Sequence, residues 1–328
     1  MFFIKRISII ILTVLFVFGC SKTRDTNGTA QKKIFKIGVL DYVNSLYTEE
    51  AERGIIEGLK ENQLTSDCFL DIKNAQGDIA VLNSAADLFA QSDYDLIFAI
   101  TPPAIQVSLK KIKDKPVVFT NAGNPVEAGT GISYEDHISN ITGISTTPDF
   151  EAAVKIIKNF FPDAKRIGTL FTPTEVDSVL YLEKFTEVLK KNSMEIATCP
   201  IASSSDIGDA SNALCEKNID AYCQIIDNLT GSAFGAISVS AKKKKIPLFC
   251  FGSQNVKKGL ALAAASRDYY DCGKETVKIA VRILQGENPK YIPISLTEKT
   301  KIVLNKKAAE DLNIKLTDEN TKIFGEIY

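Results

Sequence analysis

The sequence predicts an α/β protein made of two lobes, each with a doubly wound parallel sheet. Two observations lead to this prediction. Short apolar runs alternate with longer amphipathic runs along most of the 328 residues, and this alternation is typical of parallel strands joined by helical crossovers. The alternation is interrupted once, at "NITGIST" (140–146), and then starts again. With 45% hydrophobic residues, the chain is long enough to bury one or two cores.

The first half of the chain contains four predicted strands and three predicted helices. The first helix shows the pattern clearly, since Ala51, Ile55 and Leu59 recur at every fourth position and therefore share one face. The predicted strands cover residues 35–43, 68–75, 94–100 and 116–122, and the predicted helices cover 46–63, 78–92 and 102–113.

The second half repeats this order of elements. A run of four lysines (242–245) ends one predicted helix, where the helix dipole favours cations. The last long helix carries an apolar stripe that includes Val277, Ala280 and Leu284. The predicted strands cover 166–172, 195–202, 220–227, 246–252, 260–266 and 292–305, and the predicted helices cover 150–161, 177–192, 207–218, 231–245, 269–287 and 306–313.

The N-terminus has the features of a signal peptide and a lipid attachment site. Lys5 and Arg6 precede an apolar run of about a dozen residues, whereas a membrane-spanning helix needs about 20. The segment "VFGC", which ends at Cys20, resembles a bacterial lipobox. That resemblance implies cleavage after residue 19 and acylation of Cys20, while the alternative is an ordinary signal peptide with a chance cysteine. We expect a signal peptide at 1–19, a lipidated tether at 20–34, and an exported protein anchored by its lipid outside the cytoplasmic membrane, at the cell surface or in the periplasm.

The composition argues against several classes of function. Loss of residues 1–19 removes two cations and no acid, which takes the formal net charge from −1 to −3. A nucleic-acid-binding protein normally carries a basic surface, so we expect no nucleic-acid partner. The single histidine, His137, lies in a polar stretch typical of a surface loop. With one histidine and no CxxC pair, we expect neither a metal site nor histidine-dependent catalysis.

The common motifs of cofactor-binding and hydrolytic enzymes are also missing from the sequence. It contains no GxGxxG after the first strand, no GxxxxGK[ST] and no GxSxG. We therefore expect no cofactor and no catalytic residues. Seven cysteines are present, but Cys223 and Cys250 lie in apolar strands, where cysteine is commonly a small buried hydrophobe. We expect no disulfide on which the fold depends.

Polar residues follow several of the predicted strands. Parallel sheets bind ligands beyond the carboxyl ends of their strands, so two facing lobes predict a cleft lined by these residues. Asp227 and Asn228 directly follow an apolar strand, and a carboxylate there could bind a ligand ammonium. Capping of the next helix is an equally good interpretation of Asp227. The other strand-end residues that we assign to the cleft are Asp41, Tyr42, Asn44, Thr101, Pro102, Asn121, Asn124 and Glu175.

Several of these positions have a structural interpretation as well. Thr101 precedes two prolines and is predicted to be a helix N-cap, although a helix N-terminus in the cleft would also suit a ligand carboxylate. Asn124 precedes a proline, which is typical of a turn. Asp177 or Ser178 is expected to cap the helix that follows, which leaves Glu175 free to reach the cleft.

The chain resembles the exported substrate-binding proteins of ABC transporters with a periplasmic-binding-protein type I fold. More narrowly, it resembles the branch associated with tryptophan and other aromatic amino acids. The matching segments follow the family order over roughly residues 37–314 and include "IGVLDYV", "YDLIFAITPPA", "PVVFTNAGNPVEAG", "NITGIS" and "DAYCQIIDN". Asp227 and Asn228 match the "DN" of the family, so the resemblance implies a ligand-binding role at these two positions.

The resemblance also implies three crossings between the lobes, near 141–145, 266–268 and 291–296. The N-terminal lobe would then comprise 35–143 plus 267–290, and the C-terminal lobe 144–266 plus 291–328. The chain departs from the family pattern at several cleft positions, so the ligand of the family is not carried over. Asn124 replaces the usual aspartate, Ser145 and Thr146 replace a frequent Ser-Asp, "EVDS" (175–178) replaces "EANS", and Asn44 stands where histidine is frequent.

These observations predict a lipid-anchored binding protein for a small amino-acid-like ligand, with aromatic amino acids as candidates. We expect it to deliver this ligand to the permease and ATPase of an ABC importer. Asp227 would bind the ammonium, Thr101 and nearby amides the carboxylate, and Tyr42 or Phe98 would face the side chain. One rival hypothesis is a sensor of the same fold that reports its ligand to a signalling protein. The other is an enzyme on a two-lobed scaffold, which the missing histidines and nucleophile motifs disfavour.

Overall fold

The computed structural model describes residues 34–64, 66–297 and 299–328. The predicted signal peptide, Cys20 and the tether up to residue 33 therefore lie outside the described residues. In the part of the chain that is described, no helix is both long and apolar enough to cross a membrane.

Strands and helices alternate along the described residues, much as the apolar pattern predicts. The strands are β1 Phe35–Asp41, β2 Cys68–Asn74, β3 Leu96–Ile100, β4 Val117–Ala122, β5 Ile141–Ser145, β6 Arg166–Phe171, β7 Glu195–Pro200, β8 Ala221–Cys223, β9 Leu248–Cys250, β10 Ala263–Arg267, β11 Ser295–Leu296, β12 Thr300–Leu304 and β13 Glu326–Ile327. The α-helices are α1 Leu46–Glu61, α2 Ile79–Gln91, α3 Pro102–Lys111, α4 Phe150–Phe160, α5 Val176–Lys191, α6 Ile207–Cys215, α7 Asn228–Ser232, α8 Phe234–Lys243, α9 Ser253–Lys257, α10 Tyr269–Leu284, α11 Lys306–Asp311 and α12 Asp318–Thr321.

The strands form two sheets, one in each lobe. The N-terminal sheet has the order β11-β5-β4-β3-β1-β2 and is parallel throughout. The C-terminal sheet has the order β13-β12-β10-β9-β8-β6-β7, and only the pair β10–β12 is antiparallel. The predicted fold class, two doubly wound parallel-sheet lobes, is therefore what the structure contains.

Helices cover both faces of each sheet because successive strand residues point to opposite sides. In β3, Leu96 and Phe98 pack into the core beneath α1 and α10, whereas Ile97 and Ala99 pack into the core beneath α2 and α3. Phe98 is completely buried in this way and cannot face a ligand, contrary to the prediction. Cys223 and Cys250 lie in separate cores of the C-terminal lobe, on opposite faces of its sheet.

Among the described residues, the chain passes from one sheet to the other after β5, after β10 and after β11. Two of these crossings come later than predicted, because β5 and β11 are both strands of the N-terminal sheet, with Ser295 paired to Ile144. Residues 291–296 therefore belong with the first lobe, where the sequence had placed them in the second. Hydrogen bonds tie the three crossings together: Arg267 donates to the carbonyl of Thr147 at 2.7 Å and to the hydroxyl of Thr300 at 2.8 Å.

His137 is not a surface-loop histidine. It is only 6% exposed, and its ring nitrogens lie 3.1 Å and 3.0 Å from the carbonyl oxygens of Ile138 and Ile292. The imidazole therefore joins the loop before β5 to the segment before β11. Its role is structural, because it holds together two segments that approach the hinge.

Candidate functional site

A cleft separates the carboxyl ends of the two sheets and contains a small space, which we call the inner chamber. Its volume is about 40 Å³, room for about three water molecules. Both lobes and the first crossing contribute to it. The inner chamber is lined by Ser45, Tyr47, Thr48, Thr101, Pro102, Asn121, Thr146, Glu175, Asp177, Tyr181, Ile226, Asp227, Asn228 and Tyr269.

A larger space of about 790 Å³ lies towards solvent, and we call it the outer chamber. Tyr42, Asn44, Ile79 and Leu229 are among its lining residues. Glu175 lines both chambers and so stands at their boundary. Among the residues that line either chamber there is no lysine, arginine or histidine.

Most of the predicted site residues lie at this cleft. Seven line the inner chamber: Thr101, Pro102, Asn121, Thr146, Glu175, Asp227 and Asn228. Tyr42 and Asn44 line the outer chamber, where the phenol of Tyr42 donates to the carbonyl of Gly77 at 2.9 Å. Asp41, Asn124 and Ser145 line neither chamber.

Those last three residues are engaged in the protein itself. The side chain of Ser145 donates to the carbonyl of Gly123 at 3.1 Å, and the backbone amide of Asn124 donates to Asp177 at 3.3 Å. Asp41 is 1% exposed and accepts a hydrogen bond from Asn74 at 2.7 Å. Burial is the main cause that raises the pKa of Asp41 to about 7. The Asp41 carboxylate oxygen that does not bind Asn74 has no partner among the described residues.

Thr101 occupies the N-cap position of α3 but does not cap it with its side chain. Its φ of 79° lies in a region that a β-branched residue rarely adopts, which is a form of strain that concentrates at functional sites. The hydroxyl is buried and has no partner among the described residues. Because Pro102 and Pro103 carry no N–H, this helix N-terminus also offers few free amides. The Thr101 hydroxyl is thus an unused hydrogen-bonding group at the inner chamber.

Of the three carboxylates that line the inner chamber, Glu175 is the least buried. One of its oxygens accepts from the backbone amide and the side-chain amide of Asn228, at 2.9 Å and 2.6 Å. Burial, followed by the nearby charge of Asp227, raises the pKa of Glu175 to about 7. Near neutral pH this group is therefore divided between its acid and its carboxylate form.

Asp227 has the helix-capping role that was the alternative interpretation. One oxygen accepts from the backbone amide and hydroxyl of Thr230, at 2.7 Å and 2.6 Å, at the start of α7. The other accepts from the hydroxyls of Thr172 and Ser178, at 3.0 Å and 2.8 Å. A carboxylate has about four lone-pair directions, and here all of them are used. Burial raises the pKa of Asp227, and these hydrogen bonds oppose that rise.

The predicted capping roles of Asp177 and Ser178 are wrong. Ser178 donates to Asp227 instead. Asp177 reaches across the cleft, where it accepts from the backbone amide of Gly123 at 2.8 Å and from the hydroxyl of Tyr181 at 3.3 Å. It therefore connects the C-terminal lobe to the loop after β4 of the N-terminal lobe.

Sequence reasoning missed three tyrosines at the inner chamber. Tyr47 and Tyr269 lie near the starts of α1 and α10, and their rings meet edge to face with centroids 5.5 Å apart. Tyr181 lies one turn into α5. The Tyr269 hydroxyl has no hydrogen-bond partner in the part of the chain that the structure describes. For Tyr47 and Tyr269 the missed signal was position, since each lies in the first turn of a helix that comes directly after a strand end or a crossing.

Two facing α/β lobes around a polar cleft are the architecture of the periplasmic-binding-protein type I fold. Residues 36–326 match the family model of ABC transporter substrate binding proteins, and the chain belongs to this family. The members of this family act outside the cytoplasmic membrane and bind solutes rather than forming an enzyme class. These findings confirm the family and the fold that the sequence motifs predicted.

Known relatives agree with this assignment. A protein of Clostridioides difficile named tyrosine-binding protein is 31% identical over 330 residues, which cover 97% of this chain and 95% of that protein. A structure of an ABC domain in complex with L-Trp from Streptococcus pneumoniae matches 90% of this chain and 100% of its own, with 28% identity and a TM-score of 0.86.

A third relative differs in conformation. It is a ligand-free, open structure of a substrate-binding protein with adhesive properties from Clostridium difficile, which matches 89% of this chain and 99% of its own. Its identity of 29% is nearly the same as that of the L-Trp complex, yet its TM-score is only 0.67. The present protein therefore superposes better on the L-Trp complex than on the ligand-free, open structure.

Proposed function

We propose that this protein captures a zwitterionic amino acid with an uncharged side chain, an aromatic one included, in the cleft between its lobes. The observation that carries the proposal is the chemistry of the inner chamber. It combines the carboxyl group of Glu175, whose pKa is about 7, with the Thr101 hydroxyl, which has no partner among the described residues, and none of the residues that line it is cationic. Such a site attracts an ammonium group and repels an acidic side chain.

Glu175 is the better acceptor for the ligand ammonium. Asp227 was the first candidate, but its four hydrogen bonds leave it no free lone pair. Glu175 faces both chambers and loses its proton easily near pH 7. An ammonium ion would stabilise the ionised form through a charge-assisted hydrogen bond.

The ligand carboxylate would lie opposite, at the N-terminal lobe. The Thr101 hydroxyl supplies one donor, and the start of α1, capped by Ser45, presents its first amides at the same chamber. Tyr269 supplies a second hydroxyl, which burial keeps protonated by raising its pKa. The inner chamber is too small for a whole amino acid, so the side chain would extend into the outer chamber beside Tyr42.

The family assignment and the N-terminal sequence together support the wider role. We propose that Cys20 carries the lipid anchor, that the mature protein is held outside the cytoplasmic membrane, and that it delivers its ligand to the permease and ATPase of an ABC importer. Lobe closure around the ligand would create the form that the permease recognises, since a ligand shifts the population towards the state it binds better.

The first experiment is a titration of protein that begins at Ser21. Native mass spectrometry of material purified without denaturation would show any bound ligand, and calorimetry would then compare L-tyrosine, L-tryptophan and L-phenylalanine with L-glutamate and glucose. We expect binding of at least one neutral amino acid and none of L-glutamate or glucose. Binding of the sugar or of the acidic amino acid in preference would contradict the proposal.

The importer role is tested separately in cells. Deletion of the gene should abolish high-affinity uptake of the labelled ligand, and a Cys20→Ser variant should fail to label with an acyl-chain precursor. Unchanged uptake in the deletion strain would contradict delivery to an importer, even if the ligand binds the purified protein.

A further inference from the structure

Tyr47 joins the two lobes directly. It is the second residue of α1 in the N-terminal lobe and is 4% exposed. Its hydroxyl donates to the side-chain oxygen of Gln224 at 2.9 Å and accepts from the side-chain amide of Asn255 at 3.0 Å, both in the C-terminal lobe. Burial raises its pKa well above the ordinary value, so the hydroxyl keeps its proton.

The C-terminal lobe receives this ring through two glycines. A Cβ atom at Gly252 would lie 2.3 Å from Cε1 of Tyr47, and a Cβ atom at Gly231 would lie 3.3 Å from two of its ring carbons. Ordinary carbon–carbon contacts are about 3.5–4.0 Å. Gly252 has a φ of −126°, which any residue adopts, so the glycine is needed for space and not for its backbone conformation.

Other contacts across the cleft also need no ligand. Asp177 accepts from the amides of Gly123 and Asn124, and Gln254 donates to Glu50 at 3.0 Å. Each of these pairs joins α5 or α9 of one lobe to a segment of the other. Such contacts exist only while the lobes are together, so they contribute to the free energy of closure whether or not a ligand is present.

We propose that Tyr47 is a positioning residue that sets ligand affinity through lobe closure, by seating its ring over Gly252 and bonding Gln224 and Asn255. The inference rests on the proposed function, because it assigns part of the ligand affinity to a contact between the lobes. A ligand that binds only the closed form gains affinity in proportion to the closed fraction that exists before it arrives. Disturbing this contact from the Gly252 side therefore weakens binding while every residue that lines the chambers stays in place.

Gly252→Ala is the test variant, because Gly252 lines neither chamber and the added methyl group overlaps Tyr47 only when the lobes are closed. Closure is measured without ligand by hydrogen exchange at Gly123 and Asn124, whose amides are protected by Asp177 across the cleft. We expect faster exchange at these two amides and a dissociation constant for L-tyrosine, or for whichever amino acid binds, raised about 10- to 100-fold. Exchange in the strand cores should not change.

Gly235→Ala is the matched control, since its methyl group would meet nothing within 4 Å, and it should leave both measurements unchanged. In a Tyr47→Ala background, Gly252→Ala should have little further effect, because the overlapping ring is gone and the remaining close atom, Nδ2 of Asn255 at 3.1 Å, is the end of a side chain that can shift. If Gly252→Ala does not fold, Tyr47→Phe, which removes only the hydroxyl, tests the proposal by the same exchange measurement.

The proposal would be overturned if the folded Gly252→Ala protein had the same exchange rates and the same ligand affinity as the wild type. Absence of any ligand for the wild type would count against the proposed function, while the ligand-free exchange still tests the contact.

Discussion

Ligand affinity should depend on pH through Glu175. In the ligand-free protein its pKa is raised to about 7 by burial and by the neighbouring charge of Asp227. An ammonium group binds the carboxylate and not the acid, so the bound protein should hold Glu175 ionised. Affinity should therefore fall as the pH is lowered through 7, and binding at pH 6 should release nearly one proton for each ligand bound.

The size of the effect follows from the pKa. With a pKa of about 7, roughly three quarters of Glu175 is ionised at pH 7.5 and about one part in a hundred at pH 5. If only the ionised form binds, the dissociation constant rises about 50- to 100-fold between these two pH values. Glu175→Gln cannot ionise, so it should bind more weakly at pH 7.5, by about 10-fold or more, and should show little pH dependence.

Calorimetry in two buffers of different ionisation enthalpy measures both the affinity and the number of protons released. Asp41→Asn is the matched control, because the pKa of Asp41 is also about 7 but its side chain lines neither chamber. That variant should keep the wild-type slope of affinity against pH. A wild type whose affinity is the same at pH 5 and pH 7.5, or a Glu175→Gln protein that retains the slope, would refute the assignment of the ammonium to Glu175.

Three further predictions concern stability, and urea unfolding measures each of them. Because the folded protein raises the pKa of Asp41 from 3.8 to about 7, the associated stability is complete below pH 3.8 and is lost as the pH rises through 7. It amounts to about 4 kcal/mol at most, and Asp41→Asn should flatten that decline. Asp227→Asn should lower the free energy of unfolding by about 1–3 kcal/mol, since an amide would face the donors Thr172, Ser178 and Thr230. A variant as stable as the wild type would contradict the capping role of Asp227. Phe150→Ala should cost about 3–5 kcal/mol, because this ring contacts Tyr181, Phe185 and Phe251 in the C-terminal core, and a cost below 1 kcal/mol would show that the core refills the space.

The cleft could be located from sequence because parallel strands end at one edge of a sheet. Thr101 and Glu175 come after β3 and β6, Asn121 is the next-to-last residue of β4, and all three line the inner chamber. The same reasoning failed for Asn124, whose side chain accepts from the backbone amide of Glu127 in its own loop, and for Ser145, the last residue of β5, which donates to the carbonyl of Gly123. Position at a strand end indicates the right edge of the sheet, whereas the direction of a side chain depends on local backbone angles that the residue type does not determine.

The hinge was predicted less accurately than the lobes. The segment 292–305 contains a strand of each sheet, β11 and β12, with the third crossing between them. β11 has only two residues and both are exposed, so no apolar run marks it. Its place in the N-terminal sheet comes from pairing with β5, a partner about 150 residues earlier in the chain.

The sequence by itself determined the order of strands and helices, the division into two sheets and the polar character of the cleft. Each of these depends on residues within a few positions of one another, so a local pattern is sufficient to encode it. Only the tertiary structure decided which polar groups remain available to a ligand. Asp227 is saturated by Thr172, 55 residues away, and Tyr47 is bound by Gln224, 177 residues away. The first contact forms when β6 and β8 assemble into one sheet, and the second when the two lobes meet, so no local pattern in the sequence records either of them.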